Sequence, residues 1–579
     1  MIRRSALLGA VLFVLAPGAS HAAPPNPFGH ACAPKGTVLF CPTASDAQRV
    51  PSFDGVPLDV DVTLPATGDG PFPTIVMMHG YGGNKTAFQA PSATPYSDVG
   101  FATGGYAVVT YSARGFGRSC GILDSRTPPA CDRGWLHLAD HRYEARDTQH
   151  LLGLLVDQGV TSPTAIGVTG VSYGGIQTLN LARLRNRVRL EDGSFVPWTS
   201  PNGTPLAITA GYARWPGSDL TYALQPNGRF TDFRTPRKND SIRPGGVMKK
   251  SYNDVLYASG NASGFYAPPG GPFSSDITTW KALADRGEPA RADALAVGRE
   301  LTGFHSWMGL TGPSAALIVQ NGWTDDLFPA PEALRVYRSF HAAPGARLSL
   351  QLGDLGHPRG TNNASENSAM EAQARAFFDF YLRRQGRAPA HGSVLAFTQS
   401  CEAAARSSAR FAAKNWERLH PKTARMRQRG ALRIDSRAGS PATAAAIDPI
   451  GSAGACASVA AERVKGTAIV QRRFRRPFTM LGMPTVESRI RTKGRGGFIA
   501  ARLWDVRRGK QVLVSRGVYR LRDNQRGKVV FQLFGNGWRF AKGHTAKLEL
   551  LGRDPNFLRT CNFKFSVRLS RTRVGLPGR

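Results

Sequence analysis

Short apolar runs alternate with amphipathic stretches in the first part of the chain. Between about residues 56 and 212 the clearest apolar runs lie at 74–78, 106–111 and 165–169, and we predict that each is a buried strand. In the segment 143–156 the leucines recur at helical spacing, which predicts a crossover helix. This alternation is typical of a parallel sheet with helices packed on its faces, and it indicates an α/β fold.

Residues 213–305 interrupt this pattern, because clusters of Pro and Gly separate several helix-like pieces. Afterwards the signals return, with predicted strands at 315–320 and 348–352 and a predicted amphipathic helix at 366–384. We therefore expect a helical cap over 213–305, inserted into one α/β domain. The two pieces of that domain are expected at 23–212 and 306–392.

The last third of the chain has a different pattern. After residue 392 the helical signal fades and short apolar runs prevail, of which the clearest are 468–474, 498–506, 512–521 and 546–551. We predict an all-β sandwich over residues 393–579. The length of 579 residues agrees with several domains, since single cores rarely exceed roughly 300 residues.

The N-terminus has the features of an export signal. Arg3 and Arg4 precede an apolar run at 6–16, and Ser20-His21-Ala22 supplies small residues for a cleavage site. We predict a signal peptide over residues 1–22 and a secreted protein of bacterial type. A membrane anchor is the alternative, but it would need about 20 apolar residues, and no later segment is long enough to span a bilayer.

The seven cysteines fit an oxidising compartment, and none of their spacings is typical of a zinc site. We predict three disulfides, although the sequence leaves other pairings open. The predicted pairs are Cys32 with Cys41, Cys120 with Cys131, and Cys401 with Cys456, which leaves Cys561 over.

The chain is strongly basic, with 74 Lys and Arg against 40 Asp and Glu and a formal net charge of +34. Such a charge is compatible with nucleic-acid binding. The basic residues are spread along the whole chain, however, and no nucleic-acid motif accompanies them, so we expect no nucleic-acid partner. A weak attraction to anionic cell-surface polymers stays open.

The segment Gly170-Val171-Ser172-Tyr173-Gly174 lies between a predicted strand and a predicted helix. A serine hydroxyl is a poor nucleophile until a sharp turn exposes it beside a base, and a strand-turn-helix elbow does this. We therefore predict that Ser172 is the catalytic nucleophile. The alternative is a glycine-rich turn with an incidental serine.

In hydrolases with this elbow the acid and then the base follow in chain order. Asp325 comes just after the strand at 315–320, and His357 lies in the loop after the strand at 348–352. We predict that His357 is the base and that Asp325 orients it, in preference to the neighbouring Asp326. The other histidines considered for this role, His341 and His391, have weaker sequence contexts.

Two groups are candidates for holding a developing oxyanion. One is the backbone N–H of Tyr173, and the other comes from the Gly-rich loop at 79–83, which could also be a structural turn. His137 and His141 stand four residues apart, as metal ligands on a helix would, but no third ligand is evident. We expect neither a metal nor another cofactor.

Several motifs resemble the X-prolyl dipeptidyl aminopeptidase and cocaine-esterase-like family of serine hydrolases. The resemblance runs over most of the chain after the signal peptide. It rests on the segments 114–121, 170–174, 215–220, 322–325, 415–421, 503–506 and 543–544. It implies an α/β-hydrolase core, an inserted helical cap and a C-terminal jelly roll, and it also implies that the hydroxyl of Tyr81 donates to the oxyanion.

The resemblance implies either release of X-Pro dipeptides or hydrolysis of acyl esters and amides. A dipeptidyl peptidase needs acids that hold a substrate ammonium, whereas an esterase pocket can be mainly aromatic. The cap offers candidates for both, among which Trp215 and Asp219 are the preferred substrate contacts. The other acids are Asp232 and Asp254, and the other aromatic residues are Phe230, Tyr266 and Trp280. Each acid could equally be a solvated surface charge, and core packing is the alternative role for each aromatic residue.

The sequence therefore predicts a secreted serine hydrolase of the Xaa-Pro dipeptidyl-peptidase type, which cleaves peptide, amide or acyl ester bonds. A carboxylesterase or acylase without dipeptidyl-peptidase activity is the first alternative. The second is a non-catalytic binding protein at the cell surface that has kept a hydrolase scaffold.

Overall fold

The computed structural model describes residues 26–579 except 91–93, 128, 288–291, 342, 344, 402–407, 453 and 455. The predicted signal peptide lies outside the described residues. Within them, no helix combines the length and the hydropathy needed to cross a membrane.

The first two thirds of the chain form one large sheet and two hairpins. Their strands are β1 (Ala33–Lys35), β2 (Val38–Cys41), β3 (Val50–Pro51), β4 (Pro57–Leu58), β5 (Val60–Pro65), β6 (Phe72–Met78), β7 (Ala107–Tyr111), β8 (Thr161–Val171), β9 (Arg187–Arg189), β10 (Phe195–Pro197), β11 (Ile208–Arg214), β12 (Ala316–Gly322), β13 (Leu348–Gly353), β14 (Val394–Phe397) and β15 (Arg410–Ala413). Eleven strands make the sheet in the order β1-β2-β5-β7-β6-β8-β11-β12-β13-β14-β15. The strands from β7 to β14 are parallel, and the flanking pairs are antiparallel.

Helices cover both faces of the sheet, as short apolar runs with helical crossovers require. The α-helices of the described residues are α1 (Asp98–Thr103), α2 (Glu144–Asp157), α3 (Tyr173–Leu184), α4 (Leu220–Leu224), α5 (Lys250–Ser263), α6 (Ile277–Asp285), α7 (Ala292–Phe304), α8 (Ala330–His341), α9 (Ala364–Arg383), α10 (Trp416–Leu419) and α11 (Pro441–Ala446). Helices α4 to α7 lie between β11 and β12, in the interval where the sequence predicts a cap. The predicted fold class is confirmed.

Two further sheets form the all-β region. Their strands are β16 (Lys422–Gln428), β17 (Leu432–Asp435), β18 (Ser458–Ala460), β19 (Ala468–Arg473), β20 (Phe478–Gly482), β21 (Thr485–Gly494), β22 (Phe498–Arg507), β23 (Lys510–Arg520), β24 (Arg526–Gln532), β25 (Asn536–Phe540), β26 (Thr545–Leu551) and β27 (Phe565–Gly578). One sheet has the order β24-β21-β27-β20-β25, with β16 and β17 also paired to β27, and the other has the order β18-β23-β22-β26-β19. Alternate residues of these strands meet in a separate apolar core.

The large sheet extends past residue 392, where the sequence analysis placed the end of the catalytic domain. Strand β14 is parallel to β13, and β15 pairs with β14. The predicted boundary therefore falls before the last two strands of the hydrolase sheet. All four residues of β14 are buried. A short apolar run carries no signal of the sheet that it joins, which explains the difference.

The three predicted disulfides are confirmed. Cys32 bonds to Cys41 across the β1–β2 hairpin. The other two bonds join Cys120 to Cys131 and Cys401 to Cys456. All three link segments that are close in sequence or brought close by the all-β region.

Candidate active site

Ser172 lies at the turn between β8 and α3, with φ 56° and ψ −110°. This backbone conformation is uncommon for a residue with a side chain, and it exposes the hydroxyl at the end of the sheet. The turn also needs a residue without Cβ before it, because a Cβ on Gly170 would lie 2.6 Å from the carbonyl oxygen of Met78. The elbow that the sequence predicts is therefore present in the fold.

The structure brings Ser172, His357 and Asp325 together in a line. The Oγ of Ser172 is 2.8 Å from Nε2 of His357, and Nδ1 of His357 is 2.7 Å from Oδ2 of Asp325. The other carboxylate oxygen, Oδ1, accepts the backbone N–H groups of Leu327 and Phe328 at 3.0 and 2.9 Å. Because Nδ1–H of His357 donates a hydrogen bond to the buried carboxylate, Nε2 carries no proton and can accept the one from the serine.

The neighbouring Asp326 points away from this line. Its Oδ2 is 2.7 Å from Nε of Arg359 and 3.3 Å from Nε of Arg516, which belongs to β23 of the all-β region. All three side chains are buried. The structure thus gives the two adjacent acids different partners, and only Asp325 contacts the histidine.

Lys249 holds the same loop from the cap side. Its Nζ donates to the carbonyl oxygens of Asp326 and Leu327 at 2.7 and 2.9 Å. Burial lowers the pKa of Lys249 to about 8. Lys249 and Arg516 were not identified from the sequence, because nothing in a single lysine or arginine indicates that a distant acid loop lies against it.

The first oxyanion candidate is the N–H of Tyr173, the first residue of α3. An N–H in the first turn of a helix has no partner within that helix, so it is available to a ligand. Tyr81 is the second candidate, and it lines the same cavity as Ser172 and Tyr173. Its hydroxyl is 2.9 Å from that of Tyr266, which donates to the carbonyl oxygen of Tyr257 at 3.0 Å. Tyr81 is therefore the donor to Tyr266.

His79 fixes the start of the loop that carries Tyr81. Its Nδ1 donates to the carbonyl oxygen of Gly80 at 2.7 Å, and its Nε2 accepts the N–H of Ala113 at 2.9 Å. Burial lowers the pKa of His79 to about 4, so the ring is neutral at physiological pH. The neutral ring can keep both hydrogen bonds.

A buried carboxylate that the sequence analysis missed supports the other side of the site. Oε1 of Glu144 accepts the hydroxyl of Tyr173 at 2.8 Å and the N–H of His137 at 2.9 Å, while Oε2 accepts the N–H of Asp140 at 2.9 Å. Burial raises the pKa of Glu144 to about 7. In the sequence this residue resembles any acid in the first turn of a helix.

These bonds shape a loop that reaches the cavity. Leu138 and Ala139 both have positive φ, 56° and 60°. The N–H of Ala139 donates to the hydroxyl of Tyr173 at 3.1 Å, and the side chain of Leu138 lines the cavity next to Ser172. Glu144 and Tyr173 together therefore hold two unfavourable backbone conformations in place.

The cavity beside Ser172 has a volume of about 150 Å³ and is mainly apolar. Helices α4 to α7 supply most of its wall. The apolar residues that they contribute include Leu220, Leu224, Leu256, Ile277, Trp280 and Leu301. Among the described residues that line it, Lys281 is the only charged one, and none is acidic.

The preferred substrate contacts from the sequence analysis do not line this cavity. Asp219 is buried at the start of α4, where it accepts the N–H of Tyr222 at 3.3 Å and the hydroxyl of Thr302 at 3.0 Å. Trp215 lies against His357, with ring centroids 6.1 Å apart. Their roles as substrate contacts stay predictions, and each position also has a local explanation: an aspartate is favoured at a helix start, and a tryptophan packs well against neighbouring rings.

Of the other candidate substrate contacts, some line the cavity and some do not. Asp232 accepts Nε1 of Trp416 at 2.9 Å, and Asp254 is 3.0 Å from Nζ of Lys281. Neither acid lines the cavity, nor does Phe230. Of the aromatic candidates, Tyr266 and Trp280 do line it.

The two histidines of the 137–141 segment contact other side chains. His137 stacks on Tyr143 at 3.8 Å, and Nδ1 of His141 is 3.1 Å from a guanidinium nitrogen of Arg189. A nearby group of Asp140, Glu300 and His305 has ligand atoms within 4.8 Å of one another. The guanidinium of Arg142 already bonds to both of these acids and takes the place that a cation would need.

Comparisons with known proteins give one family match and several similar solved structures. Residues 54–189 match the family model of X-Pro dipeptidyl-peptidase (S15 family). A comparison with curated proteins finds no match.

Solved structures show the same fold over nearly the whole chain. A CocE/NonD family hydrolase from Staphylococcus aureus has a TM-score of 0.58 and 14% identity, covering 94% of each chain. An alpha-amino acid ester hydrolase labelled with selenomethionine has a TM-score of 0.62 and 16% identity, covering 98% of this chain and 100% of that one. An aminopeptidase from a marine sediment Thaumarchaeota archaeon has a TM-score of 0.57 and 14% identity, covering 98% of this chain and 99% of that one. The chain is therefore a serine hydrolase on the α/β-hydrolase fold, and its resemblance to the X-Pro dipeptidyl-peptidase (S15) family is confirmed over residues 54–189.

Proposed function

We propose that this protein is a serine esterase or acylase for substrates with an uncharged, apolar acyl group. The observation that carries the proposal is the cavity that Ser172 shares with the cap helices. Its wall is apolar, and no described residue in that wall is acidic. Apolar walls favour an apolar acyl chain because they gain from its removal from water.

Ser172, His357 and Asp325 are the proposed catalytic triad. Ser172 Oγ attacks the substrate carbonyl while Nε2 of His357 takes its proton, and Asp325 orients the ring and stabilises the imidazolium. His357 then donates the proton to the leaving group as the acyl-enzyme forms. Water, activated by the same histidine, releases the acid and restores the serine.

The N–H of Tyr173 is proposed to hold the tetrahedral oxyanion together with the hydroxyl of Tyr81. Tyr81 donates to Tyr266 in the resting protein. Its proton must therefore turn from Tyr266 to the oxyanion as negative charge develops. That exchange replaces a neutral hydrogen bond by a charge-assisted one, which is roughly twice as strong.

Dipeptidyl-peptidase activity is the second candidate, favoured by the family match over residues 54–189. It would place a substrate ammonium in the cavity. An ammonium taken from water without a counter-charge is strongly unfavourable, and the three acids considered for this role lie outside the wall. The apolar wall therefore favours the esterase or acylase.

We propose that the protein acts outside the cytoplasm. The N-terminal segment has the features of an export signal, and three disulfides fit an oxidising compartment.

A substrate panel tests the proposed function. We expect turnover of p-nitrophenyl butyrate and hexanoate and at most weak turnover of unblocked Xaa-Pro-p-nitroanilide. Ser172→Ala should abolish both turnover and labelling by a fluorophosphonate probe. Faster cleavage of the unblocked Xaa-Pro substrate than of the esters would identify a dipeptidyl peptidase instead, and a wild-type protein that is not labelled at all would favour the non-catalytic binding protein.

A further inference from the structure

The outer face of one C-terminal sheet is unusually basic. In the strands β24, β21, β27 and β17, four arginines are direct cross-strand neighbours in one row: Arg526 pairs with Arg491, Arg491 with Arg568, and Arg568 with Arg433. All four are exposed. With strands about 4.8 Å apart, the row places four positive charges along roughly 14 Å.

Further cations surround this row, and we call the whole set the arginine face. Its other members are Arg425, Arg427, Arg489, Lys493, Lys528, Arg571 and Arg573, all exposed. The acids on the same outward positions are Glu487, which lies between Lys528 and Arg573 at 3.2 and 3.8 Å, and Asp435, which is 2.9 Å from Arg433. Two acids cannot neutralise so many cations.

Like charges directly opposite one another destabilise a sheet. The inner residues of these strands, such as Val486, Ile490 and Leu569, pack in an ordinary apolar core and do not require arginines on the other side. The fold alone thus gives no reason for the row. An anionic ligand that lies across the strands would relieve the repulsion.

A bulge in β27 adds one more cation to this face. The pairing of β21 with β27 shifts between Glu487 and Arg489, so that one residue on β21 faces two on β27. Arg571 lies in this bulge with φ 53° and is exposed beside the row. Bulges commonly change the direction of a side chain, and here the change brings another arginine outward.

A shallow groove of about 450 Å³ continues from the end of the row. Its wall includes Arg433, Arg437, Lys493 and Lys564, with Asp435 as the acid among the described residues that line it. The row and the groove share Arg433. They therefore form one continuous basic track across the sheet.

We propose that the arginine face binds a linear polysaccharide that carries carboxylate or sulfate groups along its length. Guanidinium groups form paired hydrogen bonds with such anions, and the flat, extended row fits a chain with repeated charges. The outward positions of β16, β17, β21, β24 and β27 carry no aromatic residue. Single-stranded nucleic acid needs such rings for base stacking, and membrane surfaces favour them as anchors, so the polysaccharide is the better match.

The test measures binding of the full chain to polygalacturonate and to heparin in 150 mM NaCl, with neutral dextran as the reference polymer. The informative variant is Arg491→Glu/Arg568→Glu in the centre of the row. The matched control is Arg299→Glu/Arg387→Glu, which makes the same change in net charge at exposed sites in the cap and the hydrolase region. Turnover of p-nitrophenyl butyrate checks that each variant is folded.

We expect saturable binding to both acidic polymers and none to dextran. The row variant should bind at least about tenfold more weakly, the control within about twofold of the wild type, and ester turnover should be unchanged in both. Equal weakening in the two variants would overturn the proposal, because net charge alone would then explain binding. Tighter, row-dependent binding to single-stranded DNA or to phosphatidylserine vesicles would overturn the choice of polysaccharide.

Discussion

The catalytic centre and the cavity that it opens into are built from opposite kinds of side chain. Around Asp325 the loop is fixed by buried charges, since Arg359 and Arg516 both lie against Asp326. The cavity wall, a few residues away, consists mainly of aliphatic and aromatic side chains from the cap helices. The catalytic centre depends on hydrogen bonds and ion pairs with defined geometry. The cavity depends on the volume that its apolar side chains leave open.

This difference implies different consequences of mutation. Hydrogen bonds and ion pairs have preferred distances and angles, so a change at the centre should affect every substrate alike. Apolar contacts are non-directional, so a change in the wall should alter the choice of acyl chain and leave the chemistry intact. The predictions below test this contrast.

The largest effect is expected at the two adjacent acids. Asp325→Asn should lower kcat roughly a thousandfold to ten-thousandfold for all esters, because the histidine loses the charge that sets its tautomer and stabilises its protonated form. Asp326→Asn should change kcat of the folded enzyme by less than about tenfold. It should instead lower the free energy of unfolding by about 3 to 5 kcal/mol, because Arg359 and Arg516 lose their buried partner.

Steady-state kinetics and urea unfolding of both variants measure this pair of effects. Asp325→Glu serves as the control that keeps the charge but moves it. If Asp326→Asn abolished turnover in a fully folded protein, the assignment of Asp325 as the orienting acid would be wrong.

The second effect concerns Glu144 and pH. Its pKa is raised by burial from the ordinary 4.5 to about 7, so the folded protein holds the proton more tightly than the unfolded chain. The stability that comes from the protonated carboxyl is complete below pH 4.5 and is lost as pH rises to about 7. Over that window the free energy of unfolding should fall by about 3 kcal/mol through this group alone.

Glu144→Gln should remove this part of the pH dependence, because an amide does not titrate. The measurement is the urea midpoint of the wild type and the variant between pH 4.5 and 8. Glu191→Gln is the matched control, since Glu191 is exposed. A wild type and a Glu144→Gln variant with parallel pH profiles would contradict the assignment.

The contrast also explains what the sequence could predict. The elbow at Ser172 and the order of Asp325 and His357 depend on local turns and on chain order, both of which a sequence displays. The role of Glu144 depends on a loop that folds back onto Tyr173, and that of Arg516 on docking of the all-β region. Such contacts join distant segments and leave no local pattern.

Substrate contacts were the least predictable part for the same reason. Asp219 and Trp215 have suitable chemistry and lie in the right segment, yet a helix start and a packed histidine account for their positions. The cavity wall takes residues from all four cap helices. Which face of each helix turns inward depends on their packing, and ordinary leucines and isoleucines give no sign of it.

The smallest effect is expected in the wall itself. Ala294 of α7 lines the cavity, whereas Ala292 on the same helix is exposed and does not. Ala294→Phe should fill part of the space and lower kcat/KM for p-nitrophenyl hexanoate about tenfold, with the acetate ester within about twofold of the wild type. Ala292→Phe should leave kcat/KM unchanged for both esters. An equal loss of kcat/KM for short and long esters would mean that the wall, like the catalytic centre, affects the chemical step. The proposed difference between the two regions would then be wrong.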